Sequence, residues 1–345
     1  MTKTTDVAKD RESDPTKTVI PAEYARSVVI NHAPSAQALK LMHLMVAKAG
    51  GRMADDVYHE ITGGEIREIE GMRKHDANSL KPLIAEIRSM TIITDEPEKL
   101  RYKVGGFLDT AHVEYRYDDH GDIKMKWWFS RGFTAMAERS HHWAILDRQT
   151  VFSLRSKYSI LLFQYLSSLF NLKHIHHKRF TVEELRSLLN IEEGKTERFA
   201  DLNRNILKPS IAELNQLSRF DITITPIKQS RYVVAVEFSW VAKGDASEVK
   251  AELDRPKDGR KARRDGNTEY VAMGNPFPAS GSLSLERFWL DEGKRIWSDI
   301  GRNPRDFPDT KLIADQVRKL ANDQSIALDD PKIQKLFENI IKKWR

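Results

Sequence analysis

Apolar residues along most of this chain recur at helical spacing, and short runs of β-branched residues separate the periodic stretches. Ser35 is a plausible N-cap for a helix through Leu39, Leu41, Met42, Leu44, Met45 and Val46, closed by Gly50-Gly51. A short helix is expected from about Ala54 to Ile61, a charged helix or turn around Glu65–Glu70, and a further helix from roughly Arg73 to Ser89. Strands are expected at Thr91–Thr94, Leu100–Val104, Val113–Tyr117 and Ile123–Phe129, with a turn at Asp118–Asp122. From Phe152 to Phe170 one strong helix turns Leu154, Tyr158, Leu161, Leu162, Tyr165, Leu166 and Leu169 inward. A short strand at His176–Phe180 follows, and then Thr181–Glu184, a capping box that opens a helix to Leu189. Beyond Gly194 a helix from about Glu197 to Ser218 buries Leu202, Ile206, Leu207, Ile211, Leu214 and Leu217. It leads into a hairpin, Asp221–Ile227 and Arg231–Val241, whose tip Lys228–Arg231 is basic.

Part of this pattern occurs twice. Asn78-Ser-Leu-Lys-Pro-Leu-Ile-Ala-Glu86 and Asn205-Ile-Leu-Lys-Pro-Ser-Ile-Ala-Glu213 lie 127 residues apart and agree at seven of nine positions; each soon runs into a β-branched stretch. Two copies mean a duplicated domain and not a solenoid. Helices followed by a β-hairpin read as a winged helix. The expected fold class is α+β, mostly α: two tandem winged-helix (winged helix-turn-helix) domains plus a small C-terminal helical module. The expected divisions are a flexible N-terminal arm at 1–33, winged helices at 34–140 and 141–243, a linker at 244–280 and the helical module at 281–345. Pro82 and Pro209 occupy matching places and should bend their helices, because proline removes a backbone hydrogen bond and crowds the preceding turn. Three aromatic-bearing helices in the last module are expected to dock on protein, with Trp289, Trp297 and Trp344 either anchoring that contact or packing within the module's own core.

Composition narrows the chemistry. There is no cysteine, which excludes disulfides, thiolate zinc sites and a cysteine nucleophile. Neither a signal peptide nor an apolar run near 18 residues is found, so a cytoplasmic protein without a membrane partner is expected. No Gly-x-x-x-x-Gly-Lys-Ser/Thr loop occurs, so no ATP chemistry is expected; no cofactor or metal is either. Net charge is only +6, but it is unevenly spread: residues 34–140 hold 16 bases against 17 acids, residues 141–243 hold 15 against 10. The second copy is therefore the better polyanion binder. On its proline helix Arg198, Asp201, Arg204, Asn205 and Lys208 fall on the face opposite the apolar stripe. Such a face suits a DNA major groove, where arginine pairs with guanine edges and asparagine with adenine.

Leu154–Leu166 (Leu-Arg-Ser-Lys-Tyr-Ser-Ile-Leu-Leu-Phe-Gln-Tyr-Leu), Phe180–Leu185 (Phe-Thr-Val-Glu-Glu-Leu), Phe199–Leu214 and Phe220–Thr223 together resemble the replication initiator (Rep) proteins of iteron-carrying, theta-replicating bacterial plasmids. The resemblance is strong over about 150–241, fair over about 35–140 and does not cover the tail from 244. It implies binding of double-stranded origin iterons by both winged helices, with the second making the main major-groove contacts. It also implies that monomers bind iterons and start replication while dimers, joined through the first domain, repress the protein's own gene. Without an ATP loop, opened DNA is expected to pass to a host helicase and host initiator, and single-stranded origin DNA is an alternative ligand for the basic run Lys257–Arg264 and the tail tryptophans. By position, Arg198, Asn203, Arg204, Asn205 and Lys208 fall on the recognition helix and Lys228 and Arg231 on the wing. Lys195, with Arg73, Lys74, Asn78 and Lys81 of the first copy, completes the expected DNA-binding set.

Two other functions compete. His174-Ile-His176 matches the histidine-hydrophobic-histidine motif of DNA-nicking enzymes, with Tyr158 or Tyr165 as candidate nucleophile; in those enzymes both histidines lie on one face of a central strand. A plain winged-helix transcriptional repressor would use the same DNA-reading elements.

Overall fold

The computed structural model describes residues 2–30, 34–96, 100–115, 122–170, 172, 174–244, 246–255 and 257–265, scattered positions from 293 to 319, and the helix 332–343. Residues Met1–Arg255 form one compact unit and Pro256–Arg345 a second.

The first unit begins with α1 (Thr4–Asp10), β1 (Lys17–Pro21), α2 (Ala22–Ala25) and β2 (Val28–Ile30). This segment was expected to be a flexible arm, and the structure corrects that. Thr4 is buried and its hydroxyl donates to Ser140 Oγ at 2.8 Å. Ile20 and Tyr24 are buried in the core, and β1 pairs antiparallel with β8 (Trp143–Asp147). The apolar cluster that orders the arm is distant in sequence, so local periodicity alone does not reveal it.

The first winged helix follows: α3 (Ala36–Ala49), β3 (His59–Thr62), α4 (Gly63–Arg67), α5 (Ala77–Ser89), β4 (Thr91–Glu96), β5 (Arg101–Gly105), β6 (Leu108–Glu114), β7 (Lys124–Phe129) and α6 (Arg131–Arg139). Ser35 caps α3 by accepting from Ala38 N at 3.1 Å. Where a helix was expected at Ala54–Ile61, the chain turns and enters β3, which pairs with β7. His59 and Ile61 are buried and Glu60 exposed, a period of two that only three residues carry. The expected turn at Asp118–Asp122 lies outside the described residues except for Asp122.

The expected helix Phe152–Phe170 is two helices, α7 (Arg148–Ser153) and α8 (Lys157–Phe170). Asp147 caps α7, accepting from Thr150 N at 2.9 Å. Then come β9 (His177–Thr181), α9 (Val182–Leu188) with the expected capping box at Thr181, α10 (Phe199–Leu202), a π-helical turn (Asn203–Leu207), α11 (Lys208–Leu217), and a wing of β10 (Phe220–Gln229) and β11 (Tyr232–Ala242). The three-stranded sheet runs β10-β11-β9. Phe170 stacks on Phe220 with centroids 3.6 Å apart, locking the end of α8 to the wing.

The structure accounts for the duplicated glutamate. Glu86 accepts from the backbone N–H and the hydroxyl of Ser35, at the start of α3. Glu213 accepts from Arg155 N at 3.0 Å and Ser156 N at 3.4 Å, at the start of α8. In both copies the glutamate of the proline helix satisfies backbone donors that the first helix leaves open, which joins the two helices in the same way. The N-terminal segment also grips the second module: Arg26 donates to Ser168 Oγ at 2.8 Å and to its carbonyl at 3.1 Å, and Gln164 donates to the Ala25 carbonyl at 3.4 Å.

Residues 244–280 were expected to be a linker; of these, 266–280 lie outside the described residues. Instead α12 (Ala246–Asp254) packs Val249 and Leu253 into the core, and Glu252 accepts from Gln216 of α11. In the second unit α13 (Lys257–Arg264) is helical. Trp297 is buried there, its ring 5.8 Å from Phe307 and edge-on to it, with Ile296, Ile313, Val317, Phe337, Ile340 and Ile341 also buried. Trp297 is thus a core residue and not an exposed anchor; Trp289 and Trp344 lie outside the described residues.

Candidate nucleic-acid interface

The helix of the second copy is longer at its start than that of the first. Arg204 matches Ala77, the first residue of α5, yet α10 already begins at Phe199. The extra residues decide how each copy handles its proline. Pro82 lies near the start of α5, where the carbonyl it deprives belongs to the first turn. Pro209 has about ten helical residues before it, and its ring would clash with the Asn205 carbonyl. The helix widens to π geometry over Asn203–Leu207 and then continues as α11. The widened turn carries Arg204 and Asn205.

Lys195, Arg198, Arg204, Asn205 and Lys208 are all exposed, as are Lys228 and Arg231 at the wing tip. Arg204 Nη2 contacts Asp201 Oδ1 at 2.8 Å, and its Nε donates to Asn205 Oδ1 at 3.3 Å. An exposed pair of this kind contributes little stability, but it holds the guanidinium beside the amide that would read the next base. Lys195 is paired with Glu192 at 2.6 Å, and that hydrogen bond raises its pKa. Asn203 differs from the other helix residues. It is half-buried and its Oδ1 is buried without a partner, because it shares the flank of Ile206 and Leu207. In the first copy Arg73, Lys74, Asn78 and Lys81 are exposed. There Asp76 caps α5, accepting from Ser79 N at 2.9 Å, whereas at the matching place the second copy carries Asn203 inside its longer helix, whose first turn holds Asp201.

Three supporting residues were not singled out from the sequence. Thr196 has φ +48°, a left-handed conformation costly for a β-branched side chain. Arg186 holds this turn, donating to the Lys195 carbonyl at 2.5 Å and the Thr196 carbonyl at 2.8 Å. Asn215 joins the helix to the wing: its Nδ2 donates to the Ile222 carbonyl at 2.8 Å and its Oδ1 accepts from Ile222 N at 2.7 Å. Asn215→Leu will leave both backbone groups of Ile222 unpaired at a half-buried site, costing about 1–3 kcal/mol. Urea unfolding of the two proteins measures it; a loss below about 0.5 kcal/mol would show that the amide does not fix the wing.

The nicking geometry is not formed by its named residues. His174 and His176 lie in the exposed turn before β9, and β9 is an edge strand of its sheet. Tyr165 packs edge-on against Phe180 at 5.1 Å, and burial raises its phenol pKa, which disfavours the nucleophilic form. Among the described residues no group of three or more His, Asp or Glu is placed to hold a metal ion, and no helix is long and apolar enough to cross a membrane.

The fold defines a tandem winged-helix protein whose second module exposes a helix of basic and amide side chains. Residues 24–167 match the family described as Initiator Replication protein, WH1, and residues 181–240 match Initiator Rep protein, WH2. The chain belongs to the initiator Rep protein family. Among solved structures it is similar to the crystal structure of Pi initiator protein in complex with iteron DNA, at 14% identity and a TM-score of 0.48, covering 67% of this chain and 98% of that one. No curated protein sequence matches it.

Proposed function

We propose that this protein is a plasmid replication initiator that binds the direct repeats of its origin in sequence-specific fashion. The observation that carries the reading is the exposed set Arg198, Arg204, Asn205 and Lys208 on one helix of a WH2 domain, with Lys228 and Arg231 on its wing. Arg204 and Asn205 read base edges, while Arg198, Lys208, Lys195 and the wing cations contact phosphates. Arg73, Lys74, Asn78 and Lys81 hold the backbone beside them; the first copy has no charge surplus and its helix starts at a carboxylate. Asn203 supports the helix from its buried flank.

Binding helps open the origin, and the opened strands pass to a host helicase with a host initiator, because the sequence carries no nucleotide-phosphate loop of its own. As a dimer the protein represses its own gene. A plasmid bearing the origin but lacking this gene should replicate only when the protein is supplied. Repression of the promoter without replication would mean a plain repressor, and a covalent protein–DNA adduct with Mn²⁺ and an origin single strand would mean a nicking enzyme.

Arg204→Ala will cost about 1–3 kcal/mol on the origin repeat and relax preference at one base position. Lys208→Ala will weaken all duplexes alike. Competition binding at moderate salt separates the two, and unchanged specific affinity in Arg204→Ala sinks the assignment of the base-reading residue.

A further inference from the structure

The second unit opens with α13, Lys257-Asp-Gly-Arg-Lys-Ala-Arg-Arg264, five of whose eight residues are cationic. Local energetics oppose this helix. Lys257 and Lys261 are like charges four residues apart and repel, while Arg260 is turned into the protein and buried. Gly259 in the interior weakens it further, and eight residues are too few for a helix to stand alone in water. Ala262 is its one non-glycine apolar residue, so it has no apolar stripe to bury. Lys257 and Lys261, one turn apart on the same side, are both exposed, as is Arg263. A face of this kind is stabilised by a polyanion laid along it.

We propose that α13 grips the phosphodiester backbone of nucleic acid, adding sequence-independent affinity to the base reading of the second winged helix. The inference rests on the proposed origin-binding function. An anionic membrane is the other polyanion with matching charge, but membrane-surface helices need an apolar face to sink between acyl chains, and α13 has none. The shared ligand chemistry is the phosphodiester, whether of duplex or of opened single strand.

The test uses the full chain carrying Lys257→Ala with Lys261→Ala. Alanine is the best helix former and removes one repulsive pair, so a purely structural role for these lysines would be unharmed or improved. Binding is measured across a salt series to a duplex with the origin repeat, to a scrambled duplex and to the origin single strand, and separately to phosphatidylglycerol vesicles. The expected result is a plot of log K against log salt that is shallower by about 1.5–2 on duplex, or by about 1.5 on the single strand. Affinity near 0.1 M salt should fall roughly 30- to 100-fold, with the repeat-to-scrambled ratio unchanged. The variant Lys257→Arg with Lys261→Arg should keep the original slope. Loss on duplex assigns the helix to bound origin DNA, and loss on the single strand alone to opened DNA. Unchanged slopes on both nucleic acids, or a loss confined to vesicles, overturn the proposal. If the unaltered chain fails to prefer its repeat, the base-reading function fails, while the scrambled-duplex slopes still judge α13.

Discussion

Lowering the pH from about 7.5 to 5 should remove about 4 kcal/mol from the stability of the Met1–Arg255 unit, a large share of the ~5–15 kcal/mol typical of a folded domain. Two histidines are responsible. His43 on α3 is buried; desolvation lowers its pKa to about 4, against a smaller opposing effect from a hydrogen bond with Gln164 of α8. His59 on β3 packs between the rings of Trp127 and Phe129, at 5.6 and 5.2 Å, and burial with help from Arg52 also lowers it to about 4. Each is neutral in the folded state and titrates near 6.5 when unfolded, so between those values the unfolded chain binds more protons. Stability is full above about 6.5 and declines as pH falls towards 4. At pH 5 each contributes a loss of about 2 kcal/mol. Carboxylates such as Asp122, whose pKa is lowered chiefly by its hydrogen bond with Arg67, act at lower pH and leave this window to the histidines. Urea midpoints at the two pH values measure the change, and His43→Gln should roughly halve it. A difference below about 1 kcal/mol would mean that neither ring is held neutral by burial.

Salt should act as strongly on binding. Among the described residues, Arg198, Lys208, Lys228, Arg231, Arg73, Lys74 and Lys81 are exposed and enter no ion pair, whereas Arg204 and Lys195 must first exchange Asp201 and Glu192 for DNA. If the two winged helices neutralise roughly six to eight phosphates, log K falls against log salt with a slope of about −5 to −7. Raising salt from about 0.05 to 0.2 M then weakens binding by roughly 10³–10⁴-fold. Fluorescence anisotropy with a labelled origin repeat gives the slope. A value shallower than about −2 would mean that the chain does not lie along DNA through both modules; the cations of α13 would steepen it.

Much of the interface was legible from the chain because it is local. The Ser35 cap, the Thr181 capping box and the apolar stripe from Leu202 to Leu217 each depend on residues within a few turns, and the repeated proline helix shows itself as text. Arg204, Asn205 and Lys208 could be placed on the solvent side because helical periodicity assigns a face before any partner is known. The orientation of Asn203 could not, since it sits at the edge of the stripe, where a small change of helix phase decides between water and core.

Other features depended on contacts remote in sequence. The first twenty or so residues read as polar and aperiodic, yet Thr4 and Ile20 are buried and β1 finds its partner about 130 residues away. The helix expected at Ala54–Ile61 yields to a strand because β7 offers a buried edge, and α12 forms where a linker was expected because α11 leaves room for Val249 and Leu253. The sequence by itself determined the duplication, the winged-helix order and which face of the second proline helix is exposed and basic, all governed by near-neighbour propensity and periodicity. Only the tertiary structure decided what the repeated glutamates bind, that Arg186 holds the turn before the second proline helix and Asn215 ties that helix to the wing, and that His43 and His59 are kept from water. Those outcomes turn on desolvation and hydrogen bonding between segments that the chain brings together only when folded.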